Sequence, residues 1–116
     1  MKRLFLGIAL GLVLAQPAFA EMTADELMHI YDTGDPTSRD EVAIAADGNY
    51  NGLAWASSYL TSQHATPIFC PVPNHAMTRQ ETMEMLRASM AKDARIGKQP
   101  YGLAMLLAVQ ETYPCP

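Results

Sequence analysis

Past residue 20, apolar positions recur every three or four residues, the period of helices that bury one side. Thr23-x-x-Glu26 has capping-box spacing, and Leu27, Ile30 and Tyr31 then share one face of a first helix. The run Asp32-Thr33-Gly34-Asp35-Pro36-Thr37 predicts a turn. Ser38, with Glu41 three residues on, reads as the N-cap of a second helix, which brings Val42, Ala46, Tyr50, Leu53, Ser57 and Leu60 onto one side. Gly48 and Gly52 lie four apart within it, each costing about 1 kcal/mol relative to Ala. They predict close approach of another helix backbone, with a break at Asp47-Gly48-Asn49 as the competing expectation. Pro67, Pro71 and Pro73 make Thr61 to Met77 a connector. Thr78-x-x-Glu81 caps a third helix whose buried stripe is Met83, Leu86 and Met90. Asp93 to Gln99 is the next turn, Gly97 suits a helix C-terminus, and Pro100 suits the first position of a fourth helix. That helix carries Leu103, Leu106, Leu107 and Gln110, with Met105 and Val109 widening the apolar surface. The expected fold is all-α: a small compact bundle of about four helices, without strand pairs, internal repeats or low-complexity tracts.

The first twenty residues follow another logic. Lys2 and Arg3 precede the apolar stretch Leu4 to Ala15, Pro17 breaks it, and Ala18-Phe19-Ala20 supplies a small-x-small cleavage pattern. This predicts a cleavable secretory signal over residues 1–20, bacterial in style, with the periplasm as the expected destination of residues 21–116 and full secretion as the alternative. The rival reading, an uncleaved anchor, needs about 20 apolar residues, and the stretch has 12. No membrane association is expected after cleavage.

Cleavage leaves six basic and twelve acidic residues, a balance of −6 with His neutral. That charge argues against nucleic acid, whose phosphates need clustered Lys and Arg. Eight of the acids (Glu21, Asp25, Glu26, Asp32, Asp35, Asp40, Glu41 and Asp47) fall within residues 21–47, against one base, Arg39. A solvated acidic face accounts for this; a patch that steers a basic partner is the sharper reading. The two cysteines, Cys70 and Cys115, have one pairing open to them and should be bridged in an oxidising compartment. There is no C-x-x-C motif to suggest catalytic thiols.

Enzymatic chemistry does not emerge. His64 and His75 flank Cys70, but the spacing fits no common structural zinc pattern, so no metal is expected. Ser57 and Ser58 lie mid-helix without a nucleophile elbow and read as small residues on a packed face. The pairs Asp40–Glu41 and Glu81–Glu84 suit helix N-terminal turns, where carboxylates meet the dipole favourably. No phosphate loop or dinucleotide fingerprint is present, and no cofactor is expected. Most of the eight methionines read as core, with Met1 and Met22 outside it. Trp55, one residue off the main stripe of its helix, is either a flanking core residue or an exposed anchor.

The segments Gly48-x-Tyr50-x-Gly52-Leu53-x-x-Ala56, Phe69-Cys70-x-Val72-Pro73, Thr78-x-Gln80 and the tail Tyr113-Pro114-Cys115 together resemble the periplasmic immunity proteins of bacterial type VI secretion. The resemblance spans about residues 45 to 115 and carries framework residues: Tyr50 and Gly52 for packing, Cys70 and Cys115 for the staple. It implies a non-enzymatic, stoichiometric inhibitor of a cognate cell-wall amidase effector, and it allows a homodimer, which exposed faces rich in Met and Ala would suit. No binding residues transfer with it. The long, proline-stiffened connector is the expected contact surface, with His64, Pro67, Phe69 and Asn74 as its candidates. The alternative is a periplasmic acid-stress chaperone, another small helical class with one disulfide.

Overall fold

The computed structural model describes residues 21–116, and the secretory signal expected over residues 1–20 lies outside them. All regular structure among the described residues is helical: α1 (Ala24–Thr33), α2 (Pro36–Ser62), α3 (Arg79–Lys92), α4 (Ala94–Gly97) and α5 (Tyr101–Thr112). None of these helices is long and apolar enough to cross a membrane. The four expected helices are present, and the turn expected over 93–99 contains the short fifth one.

Two starts follow the capping logic directly. Thr23 accepts the Glu26 N–H while Glu26 reaches back to the Thr23 N–H, and Thr78 and Glu81 repeat the exchange at α3. The start of α2 differs from expectation. Asp35, not Ser38, is its N-cap, accepting the Ser38 N–H at 2.9 Å, and Pro36 occupies the first turn. Proline there loses no helical bond and arrives with a helical φ, so the Asp-Pro pair starts the helix one turn early. Once started, α2 runs unbroken through Asp47-Gly48-Asn49 for 27 residues, roughly 40 Å.

The core lies where α1, α3 and α5 meet the inner side of α2. Leu27, Val42, Ala46, Tyr50, Met83, Leu86, Met105 and Val109 are buried there, with Phe69 from the connector and Ile96 from α4. Helix α5 turns differently from the leucine pattern. Ala104, Met105, Ala108 and Val109 are fully buried, while Leu103 and Leu107 remain 42% and 37% exposed. Its two alanines have little bulk, so α5 packs closely through them and the leucines flank the contact. Met22, expected outside the core, packs against it, because its carbonyl accepts the Tyr101 N–H and the Ala24 N–H donates to Gln99. These bonds clamp the entry of α1 to the entry of α5. Arg87 of α3 grips the Asp32 carboxylate at the end of α1 with two guanidinium nitrogens.

The expectation for Gly48 and Gly52 does not hold. A Cβ built on either would meet nothing within 4 Å among the described residues, and both are solvent-exposed. Among the described residues no other helix backbone approaches them. At Gly97, by contrast, a Cβ would collide with the Asp25 carboxylate, a side chain rather than a helix backbone.

Candidate binding surface

The connector between α2 and α3 consists of two exposed arcs around a buried knot. The first arc begins at the end of α2. His64 takes the left-handed conformation (φ 56°), and the His64 and Ala65 N–H groups donate back to the Thr61 and Leu60 carbonyls. This is a Schellman closure with histidine in the position that usually takes glycine. It directs residues 63–66 away from the helix axis into solvent.

The knot is residues 67–70. The Ser57 hydroxyl oxygen, 3% exposed on the inner side of α2, accepts the Ile68 N–H at 3.1 Å and the Phe69 N–H at 3.2 Å. The Phe69 ring enters the core between Tyr50 and Tyr113, with centroid distances of 5.8 and 6.4 Å. The Cys70 N–H donates to the Tyr113 carbonyl, and Cys70 is joined to Cys115, so the knot is also fastened to the chain beyond α5. The backbone N–H groups of Ile68 and Phe69 are thus both satisfied by the one Ser57 hydroxyl as the ring enters the core.

The second arc, residues 71–76, is exposed throughout, with Val72 53% exposed and Asn74 again left-handed (φ 60°). His75 Nε2 lies 3.1 Å from Glu81 Oε1 at the start of α3, and the Tyr113 hydroxyl donates to the Met77 sulfur. The Thr78 N–H and then His75 hold the Glu81 carboxyl below its ordinary range. Both arcs are therefore short spans between fixed points.

Of the four candidate contact residues, His64 and Asn74 are exposed and Pro67 is half-buried. Phe69 is not available for contact: at 1% exposure it belongs to the core, and its role is to anchor the loop. The sequence placed Ser57 on the packed face without the anchoring role that its hydroxyl performs.

A second surface lies on the other side of α2. Ile44, Trp55 and Tyr59 are 50%, 77% and 65% exposed, which resolves Trp55 as a solvent-facing residue. Trp55 borders a shallow depression with Asn51, Ala54 and Ser58. The spacing 44, 48, 52, 55, 59 that gathers these residues was present in the sequence as a second helical stripe.

The Ser57 hydroxyl is committed to two backbone donors, and both cysteines are committed to the disulfide. No group of three or more His, Cys, Asp or Glu side chains among the described residues is placed to hold a metal ion. Two surfaces are exposed to solvent: the arcs of the connector and the outer side of α2. Compared with protein-family models, with curated proteins and with solved structures, the chain matches none.

Proposed function

We propose that this chain is a periplasmic immunity protein that binds and blocks a cognate cell-wall amidase delivered by type VI secretion. The observation that carries the reading furthest is the connector, whose two exposed arcs are fixed at both ends by Ser57, Phe69, Cys70 and the disulfide. A loop held in one shape before binding loses little freedom on docking, so more of its contact energy becomes affinity. His64, Pro67, Val72 and Asn74 are the residues it would insert into an enzyme cleft. Inhibition of this kind requires no catalytic group in the inhibitor.

The test is a pull-down with the exported, disulfide-intact protein as bait, from periplasmic extract supplemented with the products of neighbouring genes. Recovery of an amidase at one-to-one stoichiometry with its activity lost is the expected result. Val72→Asp should then weaken capture by about tenfold to a hundredfold, as a central contact does, without changing the melting temperature. Empty beads at neutral pH, with many unrelated proteins held after acidification, would transfer the function to an acid-stress chaperone. That second reading draws on one observation: Asp32, Asp35, Glu81 and Asp93 all sit in native contacts that favour their charged forms, so acid loosens the fold at several points.

A further inference from the structure

A helix lying on a core normally turns its charges to the opposite side. Helix α2 does not. Opposite its buried residues run Ile44, Gly48, Gly52, Trp55 and Tyr59, with Glu41 as the one charge on that line. Each glycine weakens the helix, and neither has a neighbour within the described residues that would require it. Glycines without an internal purpose, set beside an exposed indole, phenol and isoleucine, make a face flat enough for another backbone to approach.

The charge around this face has one sign. Asp40, Asp47 and Asn51 follow one edge towards Trp55; Asp47 Oδ2 accepts from Asn51 at 3.3 Å, while its Oδ1 is buried, without a hydrogen-bond partner among the described residues. The one cation of α2, Arg39, is on the inner side with its guanidinium 5.7 Å from the Tyr31 ring centroid. Elsewhere Arg87, Lys92, Arg95 and Lys98 are engaged in ion pairs, and Arg79, at the first position of α3, is exposed and forms none among the described residues. A second copy of the chain would set acids against acids here, whereas a cationic segment meets both the negative field and the aromatic faces. The depression of about 270 Å³ bordered by Asn51, Ala54, Trp55 and Ser58 accommodates one long side chain.

We propose that the outer face of α2 is a docking site for a protein segment carrying arginine or lysine among aliphatic side chains, the cation stacked on Trp55 and the segment's backbone crossing Gly48 and Gly52. The site is independent of the amidase reading. Ser57, which anchors the connector, is on the opposite side of α2, so a partner here leaves both connector arcs free.

The probe is a synthetic amphipathic peptide of leucine and arginine, with a leucine–glutamate counterpart, titrated into the full disulfide-intact protein. Emission from Trp55, the chain's one tryptophan, and calorimetry both report binding. The arginine peptide should bind saturably with a Kd on the order of 100 μM and release in about 1 M salt, where screening reaches only about 3 Å. Trp55→Ala, at a site exposed enough to leave the fold intact, should weaken it by about tenfold. The Gly48→Ala/Gly52→Ala pair should weaken it while raising the melting temperature, a combination that a purely structural role would not produce. Absence of saturation at about 1 mM peptide, equal binding of the glutamate counterpart, or full affinity in Trp55→Ala would each overturn the proposal. So would sedimentation showing a dimer that Trp55→Ala dissolves, since the face would then belong to a second copy.

Discussion

Replacing Ser57 with alanine removes one oxygen and little volume, yet two backbone donors lose their acceptor. The Phe69 N–H is in the core, beyond easy reach of water, so its desolvation goes uncompensated at about 1–3 kcal/mol. The Ile68 N–H is half-buried and can recover a water, which limits its loss to the net value of one bond, about 1 kcal/mol. Together Ser57→Ala should cost about 2–4 kcal/mol, out of a total that for a domain of this size is about 5–14 kcal/mol. In melting temperature that is roughly 8–30 °C. Urea titration followed by far-ultraviolet circular dichroism measures it directly. The midpoint should fall with an unchanged slope, because the surface exposed on unfolding is the same. Amide exchange should lose protection at Phe69 in the same variant. A midpoint loss equivalent to less than about 0.5 kcal/mol, with Phe69 still protected, would refute the anchoring role and mean that packing and the disulfide alone hold the knot.

Four further outcomes follow from the same geometry. Gly48→Ala and Gly52→Ala should each stabilise the fold by about 0.8–1 kcal/mol, since both sites are open and helical; destabilisation in thermal melts would show that something packs there. The Cys70–Cys115 bond closes 45 residues, so its reduction should cost about 4 kcal/mol by loop entropy, read from urea midpoints with and without reductant; a change under about 1 kcal/mol would place its effect elsewhere. His64→Gly should raise stability by about 1 kcal/mol in urea titration by relieving the left-handed residue, and a loss would mean the histidine side chain contributes contacts of its own. Acid should weaken the fold. Arg87 beside Asp32, the Ser38 N–H at Asp35, the Thr78 N–H at Glu81 and Arg95 beside Asp93 each lower a folded-state pKa. Their stabilisation is complete above the unfolded carboxylate values near about pH 4 and is lost as pH falls through the depressed ones. The urea midpoint should therefore drop between about pH 5 and pH 2, less steeply in Asp32→Asn, and a flat profile would contradict this assignment.

What the sequence determined by itself is what depends on near neighbours. The boxes Thr23–Glu26 and Thr78–Glu81 span three residues, so their bonds form wherever those helices start. The prolines of the connector forbid a helix there whatever surrounds it, and two cysteines leave one pairing. The inner stripe of α2 was readable too, because Val42, Ala46, Tyr50 and Ser57 repeat at the helical period. At Asp35-Pro36 two local signals competed, turn and helix start, and the early cap prevailed. Tertiary structure decided what depends on residues distant in the chain. Both sides of α5 are apolar, so its sequence could not specify which one packs; contact with α2 and α3 selected the alanines over Leu103 and Leu107. Phe69 is an aromatic in a proline-rich connector, and only the Ser57 hydroxyl, twelve residues earlier, lets its backbone enter the core with its N–H satisfied. Gly48, Gly52 and Trp55 were ambiguous for the same reason. A helical position has no inside or outside until a neighbour covers it, and the described neighbours of α2 lie on its other side.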